Sequence, residues 1–174
     1  MGVRIGAEGA IVCAMRCFWL LLVGLWACSG TETDPPADDP CQGGDAPTLT
    51  VGTGDSAYEP TAGGQALDLV RGAQGGVHLT LAVDATYLNP EERLEATLTG
   101  LIGGQPVGLS EPFVSLRCNP ETHTLQAWGL RLIYDEQPDL LDGQATDVTV
   151  ELTDVDGRVA TGSTNYVIND PEAP

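Results

Sequence analysis

The chain of 174 residues contains no lysine, only two histidines and two phenylalanines, and no methionine beyond Met15. Seven arginines face 25 acidic residues, giving a formal charge of −18. A surface so short of cations repels phosphate backbones and anionic headgroups, which excludes nucleic-acid binding and any direct electrostatic hold on a lipid surface. Long apolar runs are also missing. The run Phe18 to Ala27 is ten residues, whereas a helix crossing a bilayer core needs roughly 20. Catalytic signatures are missing as well: there is no G-x-S-x-G elbow, no H-E-x-x-H and no phosphate-cradling glycine loop, so the chain reads as a non-enzyme.

The early segment has the layout of an export signal. Arg16 precedes the apolar run, and Leu25-Trp26-Ala27 lead into Cys28, Ser29 and Gly30, which is the charge, apolar stretch and small-residue order of a leader. It resembles a bacterial lipoprotein signal, in which Leu, a tolerant position, Ala or Gly and then the acylated Cys follow one another. Leu25, Ala27 and Cys28 match, with Trp26 where a small residue is usual. The resemblance implies lipidation at Cys28; an ordinary secretory leader with an incidental cysteine is the alternative. Glu8 fits poorly in a leader, and Met15-Arg16 makes a tidier start, so translation is expected to begin at Met15. Ser29 after the cysteine resembles the sorting signal of outer-membrane lipoproteins.

From Ser29 to Pro40 there is no large apolar side chain. Such a stretch cannot offset its ordering entropy and is expected to be an extended tether. Residues 28 to 174 keep five arginines against 24 acids, a formal charge of −19. Of the five cysteines, Cys13 and Cys17 lie in the leader and Cys28 is spoken for, leaving Cys41 and Cys118. Two remaining thiols in an oxidising envelope are most simply a disulfide.

Beyond Thr48 the chain is built of short alternating runs broken by Gly, Pro, Asn and Asp. Val77, Leu79, Leu81 and Val83 fall on one face, with His78, Thr80, Ala82 and Asp84 on the other. Leu94, Ala96 and Leu98 alternate with Arg93, Glu95 and Thr97; Trp128, Leu130, Leu132 and Tyr134 are expected to share a face; Val148, Val150 and Leu152 alternate with Thr149, Glu151 and Thr153. Period two without a helical stripe predicts an all-β protein of two antiparallel layers. The clearest hairpin lies between Asp147 and Ile168, turning at Asp154-Val155-Asp156-Gly157-Arg158, where Gly157 can take a positive φ.

That ending resembles the last two strands of immunoglobulin-like and fibronectin type III-like modules of bacterial surface proteins. It implies an immunoglobulin-like antiparallel β-sandwich of about seven or eight strands. Trp128 follows Cys118 instead of lying between the two cysteines, so an antibody-type domain is not implied. A second stretch, Gln74-Gly75-Gly76-Val77-His78, resembles a Q-G-G-x-H signature of lipoproteins from high-GC Gram-negative bacteria, a group with no assigned activity. Gly75-Gly76 are expected to turn the chain sharply into the central strand.

Ligand type decides which metals the sequence suits. His78, then Cys118 and His123, then Gln126 mimic the ligand order of the blue-copper cupredoxins, but about fifty residues follow Cys118 where one final strand should. Calcium suits the plentiful carboxylates better. Asp154-x-Asp156-Gly157 is a fragment of an EF-hand loop, read here as a turn, and Asp135, Glu136, Asp139 and Asp142 form an acidic loop. The organisation expected is a leader over 1–27, a lipidated Cys28 and linker over 28–46, the sandwich over 47–170 and a tail over 171–174. The function expected is a cell-envelope, outer-membrane-anchored lipoprotein facing periplasm or exterior. It would be a non-enzymatic binding or structural module, with an ion-binding protein (calcium ahead of copper) as the alternative. No catalytic, cofactor or metal residue is assigned. The partners are a membrane reached through the lipid and, as an open question, a protein; no small-molecule substrate is identified.

Overall fold

The computed structural model describes residues 39–73 and 75–173. Met15, the leader, Cys28, most of the tether and Gln74 lie outside the described residues. The described chain is all-β, as the alternation predicts. Its strands are β1 (Thr48–Gly52), β2 (Gln65–Asp68), β3 (Val70–Arg71), β4 (Val77–Thr86), β5 (Leu94–Ile102), β6 (Gln105–Ser110), β7 (Phe113–Val114), β8 (Arg117–Asn119), β9 (Thr124–Tyr134), β10 (Ala145–Thr153) and β11 (Val159–Asn169), with one short helix, α1 (Pro138–Leu141). Eleven strands replace the seven or eight expected, because several connections pair for only two to four residues.

The strands form one hydrogen-bonded path in the order β1-β4-β9-β6-β5-β10-β11-β2, with β3 on β4, β7 on β5 and β8 on β9. Every pairing is antiparallel except β2 on β11, which runs parallel from Gln65–Tyr166 to Asp68–Asn169. The sheet curls until its first strand reaches its far side. At Gly162 of β11 an added Cβ would lie 2.6 Å from Leu49 Cδ2 and 2.7 Å from the Leu49 carbonyl oxygen, so only glycine permits β1 to close there.

Alternation selects the core as expected. Val77, Leu79, Leu81 and Val83 are buried, as are Leu94, Ala96, Leu98, Val148, Val150, Leu152, Tyr166 and Ile168. Complete burial of a Leu- or Val-sized side chain contributes about 1.5–3 kcal/mol, so each strand is held by its inner face. The β10–β11 hairpin turns where predicted. Gly157 has φ +77°, and its N–H donates to the Asp154 carbonyl at 2.9 Å. Gly75 likewise has φ +85° at the turn into β4.

One expectation fails on register. Trp128 does not share the inner face of Leu130, Leu132 and Tyr134. The β4–β9 ladder pairs Leu81 with Leu130 but Val83 with Ala127, so β9 holds one residue more than its partner. Gly129, with φ +70°, is the extra residue of a bulge. The bulge reverses the inside–outside order, sending Ala127 and Leu125 inward and Trp128 outward.

Cys41 and Cys118 are joined in a disulfide, with Cα atoms 5.5 Å apart and a sequence separation of 77. Around it, the Tyr87 N–H donates to Pro40 O and the Gly44 N–H to Tyr87 O. The chain is thereby pinned to the domain just before β1.

Candidate functional site

The outward turn of Trp128 makes one wall of a cleft of about 620 Å³. The opposite wall is Ser110 to Arg117, the segment that leaves β6, pairs briefly with β5 through β7, and returns to β9 as β8. β6 meets β9 at a single pair, Gly108 with Tyr134, where a Cβ on Gly108 would stand 2.8 Å from Ile133 O. β8 meets β9 only from Arg117–Gln126 to Asn119–Thr124. Between these two contacts the β9 edge from Ala127 to Ile133 has no strand partner among the described residues. The cleft is that gap.

Two of its lining residues are cations. Arg117 lies over the Trp128 ring, its guanidinium carbon 5.6 Å from the ring centroid, within reach of a cation–π attraction. Arg131 lines the same cleft. Neither makes an ion pair among the described residues, whereas Arg71 pairs with Asp170 and Glu172, and Arg158 with Asp154 and Asp156. Glu111 is the carboxylate in the lining, and it stands beyond ion-pair distance of both arginines. Apolar surface flanks the cations: Phe113 is 66% exposed and Ile133 47%.

The far end is fixed by hydrogen bonds. The Gln126 amide donates to Asp84 Oδ2 at 2.7 Å and accepts from Asn119 Nδ2 at 3.2 Å. Thr124 Oγ1 donates to the same Asp84 oxygen at 2.7 Å. At the other end the Ile133 N–H donates to Ser110 Oγ at 3.0 Å. His78, on the outer face of β4, pairs across the ladder with Ile133. Burial first and then the Arg131 charge push its pKa below 6.5, while Asp55 opposes them. A neutral imidazole leaves Arg117 and Arg131 as the positive charge of the cleft at pH 7.

The metal candidates fare differently. The Cys118 sulfur is bonded to Cys41 and offers no thiolate, and His123 sits in the β8–β9 turn at φ 53°. The Asp154 carboxylate is filled by donors: the N–H groups of Asn89, Asp156 and Arg158 at 2.8, 3.0 and 2.8 Å, and Arg158 Nη1 at 3.2 Å. It is a turn anchor. Of the acidic loop, Asp142 Oδ1 accepts the Asp170 N–H at 2.8 Å. Among the described residues no three His, Cys, Asp or Glu side chains are grouped to hold a metal ion.

No protein-family model, curated protein or solved structure matches this chain. The sequence reading did not single out Trp128, Arg117 or Arg131 as a site. The signals were present: Trp128 is the lone tryptophan after Cys28, and it directly precedes a glycine inside an alternating run.

Proposed function

We propose that the protein is a cell-envelope lipoprotein, acylated at Cys28, whose folded part is a non-enzymatic binding module with the β9 cleft as its binding surface. The observation that carries the binding role is the Arg117–Trp128 stack beside Arg131. Two cations with no ion pair among the described residues line the cleft, whereas Arg71 and Arg158 are paired with acids. Its volume lies within the roughly 300–1,000 Å³ of ligand sites. Polar groups converge there with exposed apolar side chains.

Export is supported by the leader's residue order and by the Cys41–Cys118 bridge, since disulfides persist in oxidising compartments. An immunoglobulin-like reading of the body is supported by how thin the β6–β9 seam is. That single residue pair divides the strand order into β1-β4-β9 and β6-β5-β10-β11, the two groups that a sandwich would need. Radiolabelled palmitate should enter the membrane-bound protein and be lost in Cys28→Ala, which should also become soluble. An unlabelled wild-type protein would remove the anchor.

A further inference from the structure

The occupant of the cleft follows from what its walls leave unsatisfied. Ile133 turns its N–H toward Ser110, and the Asp135 N–H donates to Val107 O at 3.3 Å. Backbone groups of alternate residues on a strand point the same way, so the Arg131 N–H and C=O point into the gap, where neither has a ladder partner among the described residues. An open strand edge is a template for another extended chain. The Arg117 guanidinium, 5.6 Å from the Trp128 ring centroid, lines the same cleft and carries the planar fork of N–H donors that binds a carboxylate through two parallel bonds. Phe113 and Ile133 offer contact to apolar side chains.

One ligand class uses all three features. We infer that the cleft receives the carboxy-terminal residues of an extended peptide, which pair with the β9 edge at Arg131, place the terminal carboxylate between Arg117 and Arg131, and lay an apolar side chain on Phe113 and Ile133. A chain end is favoured over an internal segment because β6 and β8 occupy the same β9 edge on both sides of the gap. An internal segment would have to leave the sheet plane twice, a terminus once. The Gly129 N–H donates to the Gly54 carbonyl at 2.9 Å and the Ile133 N–H to Ser110 Oγ at 3.0 Å, so the edge left for pairing is centred on Arg131 and suits the last two or three residues of a chain, at about 3.4 Å per residue. The overall negative charge of the domain works against acidic side chains further along the peptide, so the carboxylate at its end is the anion that matters.

This rests on the cleft being the binding surface, and the test separates the two claims. The probes are Ac-Thr-Val-Thr-Val-Phe with a free carboxylate, the same peptide as its amide, and 1-naphthoate, each titrated into the purified full chain by calorimetry. The free acid should bind at least about tenfold more tightly than the amide, and Arg117→Gln and Arg131→Gln should each weaken it by about tenfold or more, as loss of a charge-assisted bond requires. Both arginines are exposed, so the variants should keep the wild-type circular dichroism. Hydrogen exchange at the Arg131 amide should slow on binding the peptide and stay unchanged with naphthoate. Equal affinity for acid and amide, or an Arg131 amide left unprotected, overturns the inference. Naphthoate binding without peptide binding also overturns it, yet keeps the cleft as a small-carboxylate site. If no probe binds, the cleft reading falls with it.

Discussion

Replacing Asp154 tests whether a side chain on a surface turn can govern the stability of the whole domain. Its carboxylate has no solvent exposure and accepts four hydrogen bonds, from Asn89, Asp156 and twice from Arg158. It thereby ties the β10–β11 turn to the loop before β5. Asp154→Ala strands these donors at about 1–3 kcal/mol for each one that water cannot reach. The Asp156 and Arg158 groups lie on the turn and regain water, which leaves the Asn89 N–H as the stranded donor and an expected loss of about 1–3 kcal/mol. Asp154→Asn keeps the shape and one acceptor and should lose about half as much. At roughly 3–5 °C per kcal/mol for a domain of this size, the melting temperature should fall by about 3–15 °C for Ala.

The pH dependence carries a second, independent sign. Burial by itself would raise the Asp154 carboxyl. Hydrogen bonds from Asn89 and Arg158, with the Arg158 charge, overcome it and hold the pKa below 3.8. A carboxyl depressed on folding adds stability that is complete above its unfolded value and is lost as pH falls through the folded one. The melting gap between wild type and Asp154→Asn should therefore be widest at neutral pH and narrow below about pH 4. Thermal melts followed by far-UV circular dichroism from pH 7 to pH 2 measure both effects. A D154N midpoint within about 1 °C of wild type at pH 7, or a gap that persists unchanged to pH 2, would refute the reasoning.

The Cys41–Cys118 bridge closes a loop over a separation of 77 residues, for which the chain-entropy relation gives an upper value of about 4.5 kcal/mol. Urea midpoints with and without reductant should differ in that direction, and coincident curves would count against it. Gly129→Ala forces a Cβ onto a residue at φ +70° and should cost about 1–2 kcal/mol, read as a lower melting temperature. Tyr134 is pushed up to about 12 by burial, against the hydrogen bond it shares with Thr146. Burial raises Tyr58 and Tyr166 as well, so absorbance titration should show several tyrosines ionising late with Tyr134 among them, and stability should fall as pH rises from 10 to about 12, where the unfolded Tyr134 phenol is ionised and the folded one is not. Arg131→Gln removes one of the causes that lower His78, so the His78 imidazole titration seen by NMR should move upward.

Period-two alternation makes most of the architecture legible in the sequence. The inner faces of β4, β5 and β10 could be named residue by residue, because a strand with one buried side repeats its choice every second position. The β10–β11 turn was readable from Gly157 for the same local reason. What escaped was decided between strands. Nothing near Gln65–Asp68 announces that β2 will pair parallel with β11, since that pairing depends on the curl of the sheet. The Gly129 bulge looks like any glycine within a strand until the β4 partner is known, and Trp128 was consequently placed on the wrong face. The site inherits this error. Arg117 and Arg131 are fourteen positions apart and become neighbours of one cleft only after β8 and β9 fold back on each other.

The disulfide also decides how the domain bears tension. Pulling on the chain ahead of Cys41 loads a covalent bond to β8 before it loads the hydrogen bonds of β1, and the stretch between the two cysteines is shielded from extension. Only the part after Cys118 can lengthen while the bridge holds. A reductant would therefore act as a release catch, adding the hidden loop to the length that a steady force can draw out.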